Sequence, residues 1–163
     1  MDKIIDIKKI TKERKQVKNI KKYICYTTKD YINVLQAYFI PNMSSQPSDV
    51  LKQFVTEIKL KRSSYKTQDV EKKKYNEFNF ISIDEICGKL LTCNLICYYC
   101  KKEVIIFYDK VRQVNQWTLE RLDNNIGHTY NNTVIACLGC NLGRRNKNSN
   151  GFKFYKQMVI KKI

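Results

Sequence analysis

The sequence predicts an α+β fold, in which a basic helical amino-terminal region leads into a small unit of strands and helix stapled by cysteines. Three observations predict it. Ser82-Ile83-Asp84-Glu85 has the Ser-x-x-Glu form of a capping box and opens an apolar stripe at helical spacing. From Cys93 onward the texture changes to short β-branched runs, residues 104–108 and 132–136, separated by Asn/Gly turns. Two C-x₂-C knuckles, Cys97–Cys100 and Cys137–Cys140, bracket that region.

Composition bounds what such a chain can do. Of 163 residues, 43% are hydrophobic, so a packed core is expected and disorder is not. Lys and Arg number 31 against 15 Asp and Glu, a net charge of +16 that points to a polyanionic partner. Nucleic acid comes first and an anionic membrane surface second. No apolar run approaches the roughly 18–20 residues of a spanning helix, and the amino terminus lacks the apolar centre of a signal peptide. The expectation is therefore a soluble, unexported protein with no membrane partner, in a reducing compartment such as cytoplasm or nucleus. There, seven cysteines argue for metal binding or burial over a disulfide framework.

Taken in order, residues 1–46 read as a basic arm and lead-in. Residues 1–22 suit a solvated arm or one that contacts nucleic acid, and residues 23–40 are apolar and aromatic without a period that decides helix or strand. Pro41 and Pro47 bound a breaker. Residues 47–92 form a basic helical region. Val50, Leu51, Phe54, Val55 and Ile58 recur at helical spacing behind Ser48, which is able to cap the start, and the polar continuation to residue 77 interleaves basic residues with Tyr65 and Tyr75. That continuation suits a phosphate-facing segment and a solvated helix face equally. The capping-box helix comes next, with Ile83, Ile86, Cys87, Leu90 and Leu91 on one stripe. Residues 93–163 form the stapled unit, with strands near 115–121 and 132–137 and a helix from about residue 141. The tail from Asn150 fits a closing helix or an extended segment.

Each knuckle presents two thiolates, and two knuckles together complete a tetrahedral Zn²⁺ shell with no open position, so the ion is expected to be structural. Cys93 offers an alternative ligand, but the C-x₂-C spacing favours Cys97, Cys100, Cys137 and Cys140. Cys87 belongs on the apolar helix stripe, and Cys25 suggests burial alone.

Between the knuckles stand Glu120-Arg121-Leu122-Asp123, Gly127-His128, Asn132 and Cys137-x₂-Cys140-Asn141, followed by a basic stretch. In residue type and spacing this resembles the HNH, or ββα-metal, nucleases, in the branch that carries its motif between two C-x₂-C knuckles. It is also similar to small HNH proteins of large DNA viruses, in which case the setting would be a host cell or virion. The resemblance covers about Cys97 to Lys147. It implies a metal-dependent endonuclease that hydrolyses DNA, most simply double-stranded, and leaves 5′-phosphate ends.

The resemblance also implies roles. His128, the sole histidine, would be the general base, suited by an unperturbed pKa of about 6.5. Glu120 and Asn141 would each give an oxygen to a catalytic Mg²⁺ or Mn²⁺, and Arg121 would hold the scissile phosphate through its planar fork. Asn132, grouped with His128 and Arg121 in the active constellation, would tie down the loop that bears the base. Asp123 is expected to shape the turn, and Trp117 and Leu119 to face inward. The chain departs from the pattern at Glu120, where relatives mostly carry Asp, and a carboxylate displaced by about 1 Å can cost roughly 10²-fold in rate. Two other classes fit the same composition: a zinc-stapled nucleic-acid-binding module that does not cut, and a structural or packaging protein of a genome assembly. A palindromic target would call for a homodimer.

Overall fold

The computed structural model describes residues 27–40 and 48–159. The basic arm, Cys25, the Pro41–Pro47 breaker and residues 160–163 lie outside the described residues. The class is α+β, with helices α1 (Thr28–Phe39), α2 (Ser48–Glu71), α3 (Ile83–Thr92), α4 (Leu138–Arg144) and α5 (Ser149–Gln157). A two-stranded antiparallel sheet joins β1 (Trp117–Arg121) to β2 (Thr133–Cys137).

Local chemistry explains the helix starts. Thr27 and Asp30 form a reciprocal capping box that opens α1 across the stretch whose period decides nothing by itself, and Ser82 and Glu85 do the same for α3. Cys137 caps α4 by accepting from the Cys140 N–H, so that helix starts three residues before the expected position, within the knuckle itself. Asn148 caps α5, which resolves the tail from Ser149 to Gln157 as helix.

The three amino-terminal helices pack on one another and on the hairpin in one apolar cluster. Leu35 of α1, Phe54 and Ile58 of α2, and Ile86 and Leu90 of α3 meet Trp117 and Leu119 of β1, and Phe152 of α5 closes the cluster beside Tyr99. Cys87 is buried in it. No described helix is long and apolar enough to cross a membrane.

The run at 104–108 differs from expectation. It makes only an isolated bridge, Ile105 to Gln116, while Val104, Ile106 and Phe107 are buried. Burial rather than pairing explains its apolar character, because the open edge of β1 is taken by side chains. Lys61 of α2 donates to the Trp117 carbonyl, and the Tyr65 hydroxyl, one turn on, accepts the Leu119 N–H at 3.0 Å. Lys61 also lies over the Trp117 ring. Helix α2 thus caps the sheet edge as a third strand would.

The next turn of the same face brings Asp69, and with it the end of α2, against the loop between the strands. Gly127 is required at that approach: a Cβ there would stand 2.5 Å from the Lys74 carbonyl oxygen and 2.9 Å from the Asp69 carboxylate.

Candidate functional site

The four knuckle sulfurs of Cys97, Cys100, Cys137 and Cys140 lie within 4.8 Å of one another. A tetrahedral site with Zn–S bonds of about 2.3 Å has sulfur–sulfur edges of about 3.8 Å, and Cys100 and Cys137 stand 3.9 Å apart. Backbone N–H groups of Cys137 and Cys140 point at the sulfurs of Cys97 and Cys137, at 3.3 and 3.4 Å, as they do where thiolate charge must be held. A hydrogen bond from Cys137 draws the Cys97 thiol's pKa down, whereas burial pushes that of Cys140 up. The donor set and spacing are those of a site able to hold a metal such as zinc. Cys93 stands aside, its thiol directed to the Leu90 carbonyl.

The quartet also sets the course of the chain beyond β2. Cys137 ends β2, caps α4 and belongs to the cysteine cluster at once, so the cluster fixes where α4 leaves the sheet. Asn141 and Arg144, on that helix, then reach back to β1. The Asn141 amide donates to Thr118 Oγ1 at 3.2 Å, and the Arg144 guanidinium pairs with the Glu120 carboxylate. Arg144 is 3% exposed and spends its other donors on the carbonyls of Arg121 and Lys147 and on Asn124 Oδ1. Burial raises the Glu120 pKa, and Arg144 opposes the rise.

Across from this pair stands His128, 3% exposed. Its Nδ1 lies 2.8 Å from Asp69 Oδ1, and its backbone N–H donates to Asp69 Oδ2 at 2.6 Å. One carboxylate thus holds both ring and main chain. Because Asp69 accepts, Nδ1 carries the hydrogen and Nε2 keeps a lone pair. Tyr65 stacks on the imidazole at 4.7 Å. Burial lowers the His128 pKa from its ordinary value, against the raising influence of Asp69, and so favours the neutral ring.

A cleft of about 250 Å³ has Glu120, Arg121, His128, Asn141 and Arg144 on its walls. Arg121 lies 3.5 Å from Asp69 and donates to the Ile126 carbonyl at 3.4 Å. Asn132 is not part of that wall. It binds the loop from within, accepting the Asp123 N–H at 2.9 Å and donating to the carbonyls of Asp123 and Gly127. Asp123 shapes the turn by accepting the Asn125 N–H. Trp117 and Leu119 are buried, but so are Thr118 and Glu120, because α4 covers the strand's other side.

Asp69 escapes a reading of the sequence, and Tyr65, expected on a phosphate-facing or solvated face, instead packs inward on His128. With Lys61 at the sheet edge they recur every fourth position along α2, a face that polar residue types conceal. Among the described residues the cysteine quartet alone gathers three or more His, Cys, Asp or Glu ligands for one ion. Comparison with protein-family models, with curated proteins and with solved structures returned no match.

Proposed function

We propose that this chain is an HNH-type, metal-dependent endonuclease that hydrolyses DNA, with zinc held by the cysteine quartet as its structural staple. The observation that carries the reading is one cleft walled by a carboxylate, an amide, an arginine and an imidazole, the imidazole oriented by a buried carboxylate.

The chain's own groups suit phosphodiester hydrolysis. Nε2 of His128 takes a proton from the attacking water, and Asp69 stabilises the imidazolium that forms. Arg121 grips the scissile phosphate, its charge matched to the oxygens that gain negative character. Buried walls lower the local dielectric and strengthen both interactions. A divalent cation such as Mg²⁺ or Mn²⁺, shared by Glu120, Asn141 and substrate oxygens, would supply charge stabilisation at the leaving oxygen. Two oxygen donors fit a hard cation that enters with a phosphate, and Arg144 is the competitor for Glu120 until then. The +16 charge supplies salt-sensitive affinity for the polyanion.

One observation favours a second reading, a DNA-binding module that does not cut: Arg144 already neutralises the carboxylate assigned to the cation. Plasmid nicking with Mg²⁺ or Mn²⁺ separates the two. Nicking by the wild type that disappears in His128→Ala supports the nuclease. No nicking by the wild type, with steeply salt-dependent DNA binding intact, supports the module, and a gain in Glu120→Asp would then mark the longer carboxylate as the cause.

A further inference from the structure

The His128 cleft is not isolated. Asn124, Arg144 and Asn146 line it and also line a polar hollow of about 760 Å³ beside it. At the hollow's other end Tyr98 forms part of its wall and part of a third recess, of about 300 Å³, between α3 and β2. Sharing these walls, the three hollows adjoin as a groove of successive recesses, from His128 past Arg144 to Tyr98.

Its lining has a consistent chemistry. The exposed amides of Asn125, Asn146 and Asn150 and the ammonium of Lys147 border the central hollow. Its one acidic side chain, Asp123, is turned into its own loop by the Asn125 N–H. Amides donate and accept, so they can meet phosphate oxygens and base edges alike. At the far end stand two tyrosines, each with a lysine. Lys153 Nζ lies 4.1 Å from the Tyr98 ring centre, and Lys89 Nζ lies 4.0 Å from that of Tyr130. Tyr98 is steadied edge-on by Tyr99 at 5.1 Å.

We propose that this groove binds a single-stranded nucleic-acid segment, its backbone along the asparagines and one base stacked at Tyr98. The polymer class follows from cations, amides and aromatic platforms, with a single carboxylate in the central hollow, Asp123, hydrogen-bonded to its own loop. The single-stranded state rests on Tyr98, half-buried in the groove wall: stacking on it suits an unpaired base, whose faces are not both taken by a duplex. A stacked base competes with the half-buried Lys153 for the ring, and the displaced ammonium stays near enough to meet a phosphate. The inference rests on the nuclease reading only for the statement that this strand leads to the reacting phosphate.

Fluorescence anisotropy of the full chain with a labelled oligothymidylate and with a labelled duplex, without added Mg²⁺, tests it apart from cleavage. Tyr98→Leu is expected to weaken single-strand binding about tenfold and leave duplex binding unchanged, while Tyr98→Phe, which keeps the ring, binds as wild type. Should Tyr98→Leu fail to fold, Lys147→Gln combined with Lys153→Gln replaces it, with the same selective loss expected. Equal weakening of both probes, or no weakening of the single strand, overturns the proposal. Selective weakening in a protein that never nicks DNA sinks the nuclease reading and leaves the groove standing. Nicking without selectivity does the reverse.

Discussion

At the scale of single residues, the Asp69–His128 pair carries the sharpest consequence, because it controls both the tautomer and the proton affinity of the imidazole proposed as the base. In Asp69→Asn the amide can no longer fix Nδ1–H, and nicking should fall on the order of 10²–10⁴-fold. The pH profile distinguishes this from loss of shape. If His128 is the base it works when neutral, and because burial lowers its pKa, the wild-type rate should rise with pH to an inflection below the ordinary imidazole value and then level off. Asp69 opposes the burial effect, so its removal lowers the pKa again and shifts the inflection further to acid. An unmoved inflection would show Asp69 to be only a loop anchor. Glu120 and Arg144 carry a second prediction. Both are buried and each is the other's counter-charge. Glu120→Gln should leave an uncompensated guanidinium and cost about 3–5 kcal/mol in urea unfolding. A change under 1 kcal/mol would mean that the carbonyls around Arg144 suffice.

At the scale of elements, α2 is the one whose importance was hidden. Its apolar stripe through Ile58 is amphipathic and could be read directly, but its second half lays Lys61, Tyr65 and Asp69 against β1 and the His128 loop. Periodicity of hydrophobic residues is blind to such a face, because its contacts are hydrogen bonds to a sheet edge. The knuckles and the capping box of α3 could be read directly because each depends on a fixed local spacing. Asp69 lies 59 positions from His128 and has no such spacing to betray it. The run at 104–108 misled for a related reason, since a buried irregular segment and a central strand share the same composition. Gly127 tests the docking of α2. Gly127→Ala drives a Cβ into the Lys74 carbonyl and the Asp69 carboxylate, and an overpacked contact of this kind costs about 1–3 kcal/mol. Activity should fall more than stability does, because the displaced group holds the base. Retention of full nicking at a lowered melting temperature would separate α2 docking from the site.

At the scale of the whole molecule, the cysteine quartet ties the chain between residues 97 and 140 into one closed unit, so its metal should act on the fold and the cleft together. Structural zinc in small units contributes about 10–16 kcal/mol of apparent binding energy, which becomes folding energy wherever no site exists in the unfolded chain. An ion in the quartet would reach further here, because Cys137 would be its ligand and is also the cap of the helix that carries Asn141 and Arg144. Stripping it should free α4, release Glu120 from its guanidinium and open the wall of the cleft. The purified chain should thus contain about one zinc, lost on mutation of any of the four cysteines to serine, while Cys93→Ser and Cys87→Ser keep it. A strong chelator should lower the melting temperature and abolish nicking together, and added Zn²⁺ should restore both. Mg²⁺ should restore neither, since a hard cation does not satisfy four thiolates. If the chelated protein melts as before and carries no metal at the outset, the sulfurs are packed thiols, and α4 is positioned by the apolar core and the Arg144 network alone.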